Sequence, residues 1–123
     1  MPRILLVDDD EMSRQAVQRM LERAGHTVES TGSGREAIDR FATGELDLLV
    51  TDLIMPEMDG LEIIQEVRRK DPTARILAIS GGGRVQAEEY LSVARKFGAV
   101  EVLPKPFASQ DLKAAVDRAL AGR

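Results

Sequence analysis

The sequence predicts an α/β domain in which a parallel five-stranded sheet is covered by helices on both faces. Three observations lead there. Four short apolar runs carry no polar interruption or only one, as strands buried on both faces do. The segments between them switch to a helical period. The whole pattern, strand then helix five times over, fits within 123 residues and leaves no room for a second domain, so residues 1–123 are expected to be one domain.

The first run is Ile4-Leu5-Leu6-Val7, followed by a helix whose face is marked by Ala16, Val17, Met20, Leu21 and Ala24 and whose end is marked by Gly25. His26 to Ser30 differs, because Val28 is a lone apolar residue between Thr27 and Glu29; this predicts an edge strand. Ala37, Ile38, Phe41 and Ala42 mark a second helix, with Ser33-x-x-Glu36 as a capping box and Gly44 at its end. Leu48-Leu49-Val50 is the third strand, and Leu61, Ile64 and Val67 mark the helix after it, opened by Asp59-x-x-Glu62 and stopped by Pro72. Ile76-Leu77-Ala78-Ile79 leads to a helix carrying Ala87, Tyr90, Leu91, Ala94 and Phe97, closed by Gly98. Val100 to Leu103 is the last strand, and Leu112, Ala115, Val116 and Ala119 mark the last helix, ending near Gly122. Right-handed crossovers and an edge second strand give order 2-1-3-4-5, the flavodoxin-like doubly wound (βα)5 arrangement.

Composition narrows the function. With 43% hydrophobic residues the chain can bury a core, and a net charge of −4 gives no general attraction to nucleic acid or acidic membranes. There is no cysteine, hence no disulfide and no thiolate metal ligand, as suits a reducing compartment. Met1-Pro2-Arg3 before four apolar residues and three acids is too short and wrongly flanked for a signal peptide, and no run reaches membrane-spanning length. A soluble cytoplasmic protein without membrane insertion is expected.

In this architecture sites form beyond the carboxyl ends of the strands. There the sequence puts Asp8-Asp9-Asp10, Thr51-Asp52, Ser80-Gly81-Gly82-Gly83 and Pro104-Lys105-Pro106. Crowded carboxylates repel unless a cation offsets them, and Mg²⁺, which takes oxygen ligands from one or two carboxylates and water, is the simplest remedy. Each feature alone has a plainer meaning: Asp8 to Asp10 suit the dipole and cap of the first helix equally well, Asp52 opens a turn with Pro56 and Gly60, and Lys105 fits a solvated charge on a stiff loop. Together they supply a carboxylate nucleophile, metal ligands, a hydroxyl and an ammonium, the parts needed for phosphoryl transfer.

Leu6-Val7-Asp8-Asp9-Asp10, Asp52-Leu53-Ile54-Met55-Pro56-Glu57-Met58-Asp59-Gly60, Ser80 and Leu103-Pro104-Lys105-Pro106-Phe107 make the chain resemble, along essentially its whole length, the receiver domain of two-component response regulators. The resemblance implies Asp52 as phosphoacceptor and also as a Mg²⁺ ligand, beside the acidic pair Asp8 and Asp9 and with the Ile54 carbonyl as a further ligand, Ser80 as the switch hydroxyl, Lys105 as the phosphate-contacting lysine, and a cis Lys105–Pro106 peptide. It also implies a stand-alone regulator that takes its phosphoryl group from a histidine kinase or histidine phosphotransferase and signals through a downstream protein. Beyond its own phosphorylation and slow self-dephosphorylation it is not expected to act as an enzyme.

Three features depart from the family. Val102 stands where relatives carry an aromatic switch residue, Ile54 and Gly82 are non-polar at positions that tune phosphate lifetime, and the Ser80 to Lys105 segment is slightly long. Without an aromatic, the glycine run is expected to be the switch, with phosphorylation ordering Ser80 to Arg84 and shifting the helix that starts near Arg84. Two other function classes remain in view. Asp8-x-Asp10 also fits a haloacid-dehalogenase-like phosphatase with Asp8 as nucleophile, although that family needs later acids where this chain has glycines. A binding module is the other, either a pseudo-receiver, which normally lacks a key residue, or a flavin domain, disfavoured by a single tyrosine and three strand-end acids.

Overall fold

The computed structural model describes residues 2–43, 45–53, 60–80 and 92–121. In chain order the elements are β1 (Arg3–Val7), α1 (Glu11–Arg23), β2 (Thr27–Thr31), α2 (Gly34–Phe41), β3 (Leu48–Asp52), α3 (Gly60–Lys70) and β4 (Ile76–Ser80). They are followed by α4, described over residues 92–97, β5 (Glu101–Pro104) and α5 (Ser109–Ala121). The sheet is parallel throughout with order β2-β1-β3-β4-β5, as the sequence predicts.

The continuous apolar runs are explained by two separate cores. Successive side chains of a strand point to opposite faces. Ile4, Leu6, Leu48, Val50, Leu77 and Ile79 therefore pack against Val17 and Leu21 of α1 and Leu112, Ala115, Val116 and Ala119 of α5. Their neighbours Leu5, Val7, Leu49, Ile76 and Ala78 pack on the other face, against α2, α3 and Ala94 of α4. Every residue of β3 and of β4 is buried. The edge strand β2 has no fully buried residue, as expected from its alternation. The proline at 104 sits in the other edge strand, where the missing N–H breaks no ladder.

The helical faces are narrower than the spacing suggests. Ala16 and Ala42 are exposed rather than core-facing, and Phe97 is 36% exposed. Alanine favours helix at any position, so its recurrence on a face carries less information than a leucine's. Ile63, which the spacing passes over, is fully buried. Helix ends follow the sequence where they are described. Gly25 and Gly98 close helices with φ of +98° and +123°, where a side chain would be strained. Ser33 Oγ accepts from the Glu36 N–H at 3.2 Å, but the reciprocal half of the capping box is relayed. The Thr31 hydroxyl donates to Glu36 Oε1 and accepts from the Ser33 N–H. Gly44, Asp59, Ala87, Tyr90, Leu91 and Gly122 lie outside the described residues. Among the described residues no helix is long and apolar enough to cross a membrane.

Candidate functional site

The buried polar residues among those described are Asp8, Thr51, Asp52 and Ser80, all at the carboxyl ends of the three central strands. Thr51 satisfies its hydroxyl locally by donating to the Asp52 carbonyl oxygen. Ser80 lies opposite Pro104 in the ladder, and its carbonyl accepts from the Lys105 N–H at 2.7 Å. That bond extends the β4–β5 ladder one residue past Pro104.

Lys105 then reaches across two strands. Its Nζ donates to Asp52 Oδ2 at 3.0 Å, lies 3.6 Å from Asp8 Oδ2, and donates to Ser13 Oγ at 3.3 Å. Burial alone would push the ammonium pKa down; the Asp52 charge and hydrogen bond, joined by those of Asp8, outweigh it and leave the pKa raised. Charges about 4 Å apart interact by about 4 kcal/mol at an effective dielectric near 20, more than the ~1 kcal/mol of a typical hydrogen bond. A cation at this point therefore decides whether two buried acids coexist.

The β1 end is held from several directions. The Asp8 N–H donates to the Thr31 carbonyl at 3.1 Å, extending the β1–β2 ladder. Asp8 Oδ1 accepts from the Asp10 N–H at 3.0 Å, and the Asp8 carbonyl accepts from Arg14 Nη1 at 2.7 Å. Asp10 is the N-cap of α1, accepting from the Met12 and Ser13 N–H groups. The second acid of Asp8-x-Asp10 is thus occupied by the helix, which disfavours the phosphatase reading. Asp9 is exposed.

Among the described residues no three His, Cys, Asp or Glu side chains gather into a metal-holding group. The predicted crowding of Asp8, Asp9 and Asp52 is observed for Asp8 and Asp52, which share one ammonium, and not for Asp9. The donor chemistry still fits Mg²⁺, which needs hard oxygen ligands, only one or two of them carboxylates, with water for the rest. Ile54 and the glycine run Gly81 to Gly83 lie outside the described residues, as does the segment expected to switch up to residue 91. Val102 lies opposite Ala78 and packs, partly buried, against the α2–α4 core.

Two residues of the site escape motif reading, and a third has a role that the motif does not show. Ser13 and Arg14 sit in the first turns of α1 and are marked in sequence only by following the acidic cap. Gly60, read as a turn residue, is a packing requirement. Its N–H donates to the Leu53 carbonyl, and a Cβ there would lie 2.7 Å from Leu53 Cα and closer still to the Asp52 carbonyl oxygen.

Comparison with known proteins agrees with this geometry. A family model described as the response regulator receiver domain matches residues 4–117. The DNA-binding transcriptional regulator NtrC of Azospirillum brasilense is 38% identical over 120 residues, 95% of this chain and 24% of the relative. The response regulator MprA of Mycolicibacterium vanbaalenii is 38% identical over 112 residues, 91% of this chain and 47% of that protein. The chain thus spans less than half the length of either relative. A response regulator receiver domain protein from Clostridium thermocellum superimposes with a TM-score of 0.88 at 30% identity, covering 98% of this chain and 95% of the other. Its fold, the strand-end placement of its buried polar residues and these matches agree: the chain belongs to the response regulator receiver domains.

Proposed function

We propose that residues 1–123 act as one receiver domain in which Asp52 accepts the phosphoryl group, Asp8, Asp9 and Asp52 with the Ile54 carbonyl hold Mg²⁺, and Ser80 and Lys105 contact the phosphoryl oxygens. The observation that supports this best is the convergence of Lys105 on Asp52 and Asp8, beside buried Ser80. Receiver domains are phosphorylation-dependent signalling modules of two-component systems rather than general catalysts. This chain is therefore read as reacting once per signal, at its own carboxylate.

The donor is a phosphohistidine on a histidine kinase or histidine phosphotransferase. One Asp52 carboxylate oxygen attacks phosphorus, forming an O–P bond as the P–N bond breaks. The imidazole leaves with the bonding pair and takes up a proton. Bound Mg²⁺ would screen the repulsion between the anionic acceptor and the anionic phosphoryl group. Lys105, already beside Asp52, supplies a compact positive charge to an oxygen of the transferred group, and the Ser80 hydroxyl donates to another. The new charge and acceptor oxygens bias the strand-end loops toward a second arrangement, which a downstream protein reads. The domain works in the cytoplasm on this reading, consistent with a cysteine-free chain.

The test is mass spectrometry after treatment with acetyl phosphate and Mg²⁺, comparing the parent with Asp52→Asn. One hydroxylamine-sensitive acyl phosphate on the parent and none on the variant is the expected result. A full equivalent on Asp52→Asn would overturn the assignment.

A further inference from the structure

The acid-bearing end of β1 is tied down by a residue that no catalytic role uses. Arg14 Nη1 donates to the main-chain carbonyl of Asp8 at 2.7 Å, not to a carboxylate. The contact is possible because of Gly32 on the neighbouring β2–α2 connection. A Cβ at Gly32 would stand 2.9 Å from Arg14 Nη1, 3.6 Å from the Asp8 carbonyl oxygen and 3.7 Å from Asp9 Cα. Gly32 is not among the described glycines of positive φ, so its backbone accepts alanine. What alanine would displace is the far end of a flexible side chain. The absent Cβ therefore serves the guanidinium rather than the turn.

We propose that Arg14 is a positioning residue for Asp8, seated on Gly32, and that this clamp sets the orientation of the Asp8 carboxylate toward the metal and Lys105. The inference rests on the proposed role of Asp8 in holding Mg²⁺. The clamp acts along the backbone: the Asp8 carbonyl is held by Arg14 and its N–H by Thr31, which steadies the peptide groups on both sides of the residue. Oδ1 is then left to the Asp10 N–H and Oδ2 faces Lys105. Because the guanidinium bonds the carbonyl, it steadies the acid without occupying the oxygens a metal needs.

A purely electrostatic role predicts the opposite sign. A cation beside a Mg²⁺ site repels the metal, so Arg14→Ala would then tighten binding and Gly32→Ala, which keeps the charge, would change little. Positioning predicts that Arg14→Ala and Gly32→Ala each weaken Mg²⁺ binding by about tenfold, as outer-sphere partners of metal ligands do. It also predicts that the double variant is no weaker than Arg14→Ala alone. Titration calorimetry with Mg²⁺ gives these values, with thermal unfolding confirming that Gly32→Ala folds.

Hydrogen exchange of the Asp10 amide, measured without metal, supplies the independent readout. It should quicken roughly fivefold in both single variants as the bond to Asp8 Oδ1 loosens. Tighter Mg²⁺ binding by Arg14→Ala, additive losses in the double variant, or unchanged Asp10 exchange would each overturn the clamp. If the parent itself binds no Mg²⁺, the metal-site reading fails instead, and Asp10 exchange alone decides whether Arg14 holds Asp8.

Discussion

At the carboxyl ends of β1, β3 and β4 the chain buries Asp8, Thr51, Asp52 and Ser80, whereas the charged residues flanking the amino ends of the same strands, Arg3, Asp47 and Arg75, stay exposed. The difference is one of dependence. At the amino edge, Asp47 Oδ2 accepts the Arg3 N–H at 2.7 Å, a bond that water could replace. At the carboxyl edge, the Thr51 hydroxyl donates to the Asp52 carbonyl and Asp8 and Asp52 share the Lys105 ammonium, and losing such a partner leaves a buried group unsatisfied at about 1–3 kcal/mol. One hydrophobic sandwich thus supports an edge that tolerates change and an edge that does not.

The sharpest way to break the carboxyl edge is through its packing. Gly60→Ala forces a Cβ into the backbone of Asp52 and Leu53, which cannot yield as a side-chain tip would. A loss of about 1–3 kcal/mol or more in urea unfolding, together with slower phosphorylation by acetyl phosphate, is expected. A neutral Gly60→Ala would mean that α3 can retreat from the site without consequence.

Lys105→Ala comes next. Removing the ammonium leaves Asp8 and Asp52 facing each other without a cation, so a loss of about 1–2 kcal/mol is expected at neutral pH in the absence of metal. In an Asp52→Asn background the same change should cost markedly less, because one of the two charges is gone. Equal losses in both backgrounds would show that Lys105 is not coupled to Asp52.

The smallest effect belongs to the edge strand. Glu29 receives hydrogen bonds from Arg40 and Arg3, and chiefly the Arg40 bond and charge lower its pKa below the ordinary glutamate value. With the folded pKa below the unfolded one, the stabilisation is complete above about pH 4.3 and fades as pH falls through the folded value. Glu29→Gln should therefore lose at most about 1 kcal/mol at pH 7, with the difference from the parent shrinking toward pH 3 and at high salt. A difference that grows on acidification would contradict the sign.

This contrast also explains what was legible in the sequence. The strands were readable because burial on both faces of β3 and β4 demands uninterrupted apolar runs, and the polar alternation of β2 marked it as an edge of the sheet. The gathering of Asp8, Asp52, Ser80 and Lys105 at one edge of the sheet was readable because acids, a hydroxyl and a lysine ended successive strands, a coincidence that spacing exposes. Ala16 and Ala42 misled because alanine's helix preference is independent of which face it occupies. Ser13, Arg14 and Gly32, and the packing role of Gly60, were invisible in the sequence for another reason. Their roles are a hydroxyl beside an ammonium, a guanidinium on a carbonyl, and two missing methyl groups, contacts that exist only once helices and loops are docked in three dimensions. Asp9 shows the converse, since adjacency in sequence to a buried acid did not bring burial with it.

The central claim is that the acid paired with Lys105 is the one that carries the phosphoryl group. Borohydride reduction of the acetyl phosphate-treated, Mg²⁺-loaded parent converts an aspartyl phosphate to homoserine, which peptide mass spectrometry locates. Homoserine at position 52 and at no other aspartate is the predicted result; homoserine at Asp8 or Asp9 with Asp52 unmodified would contradict it.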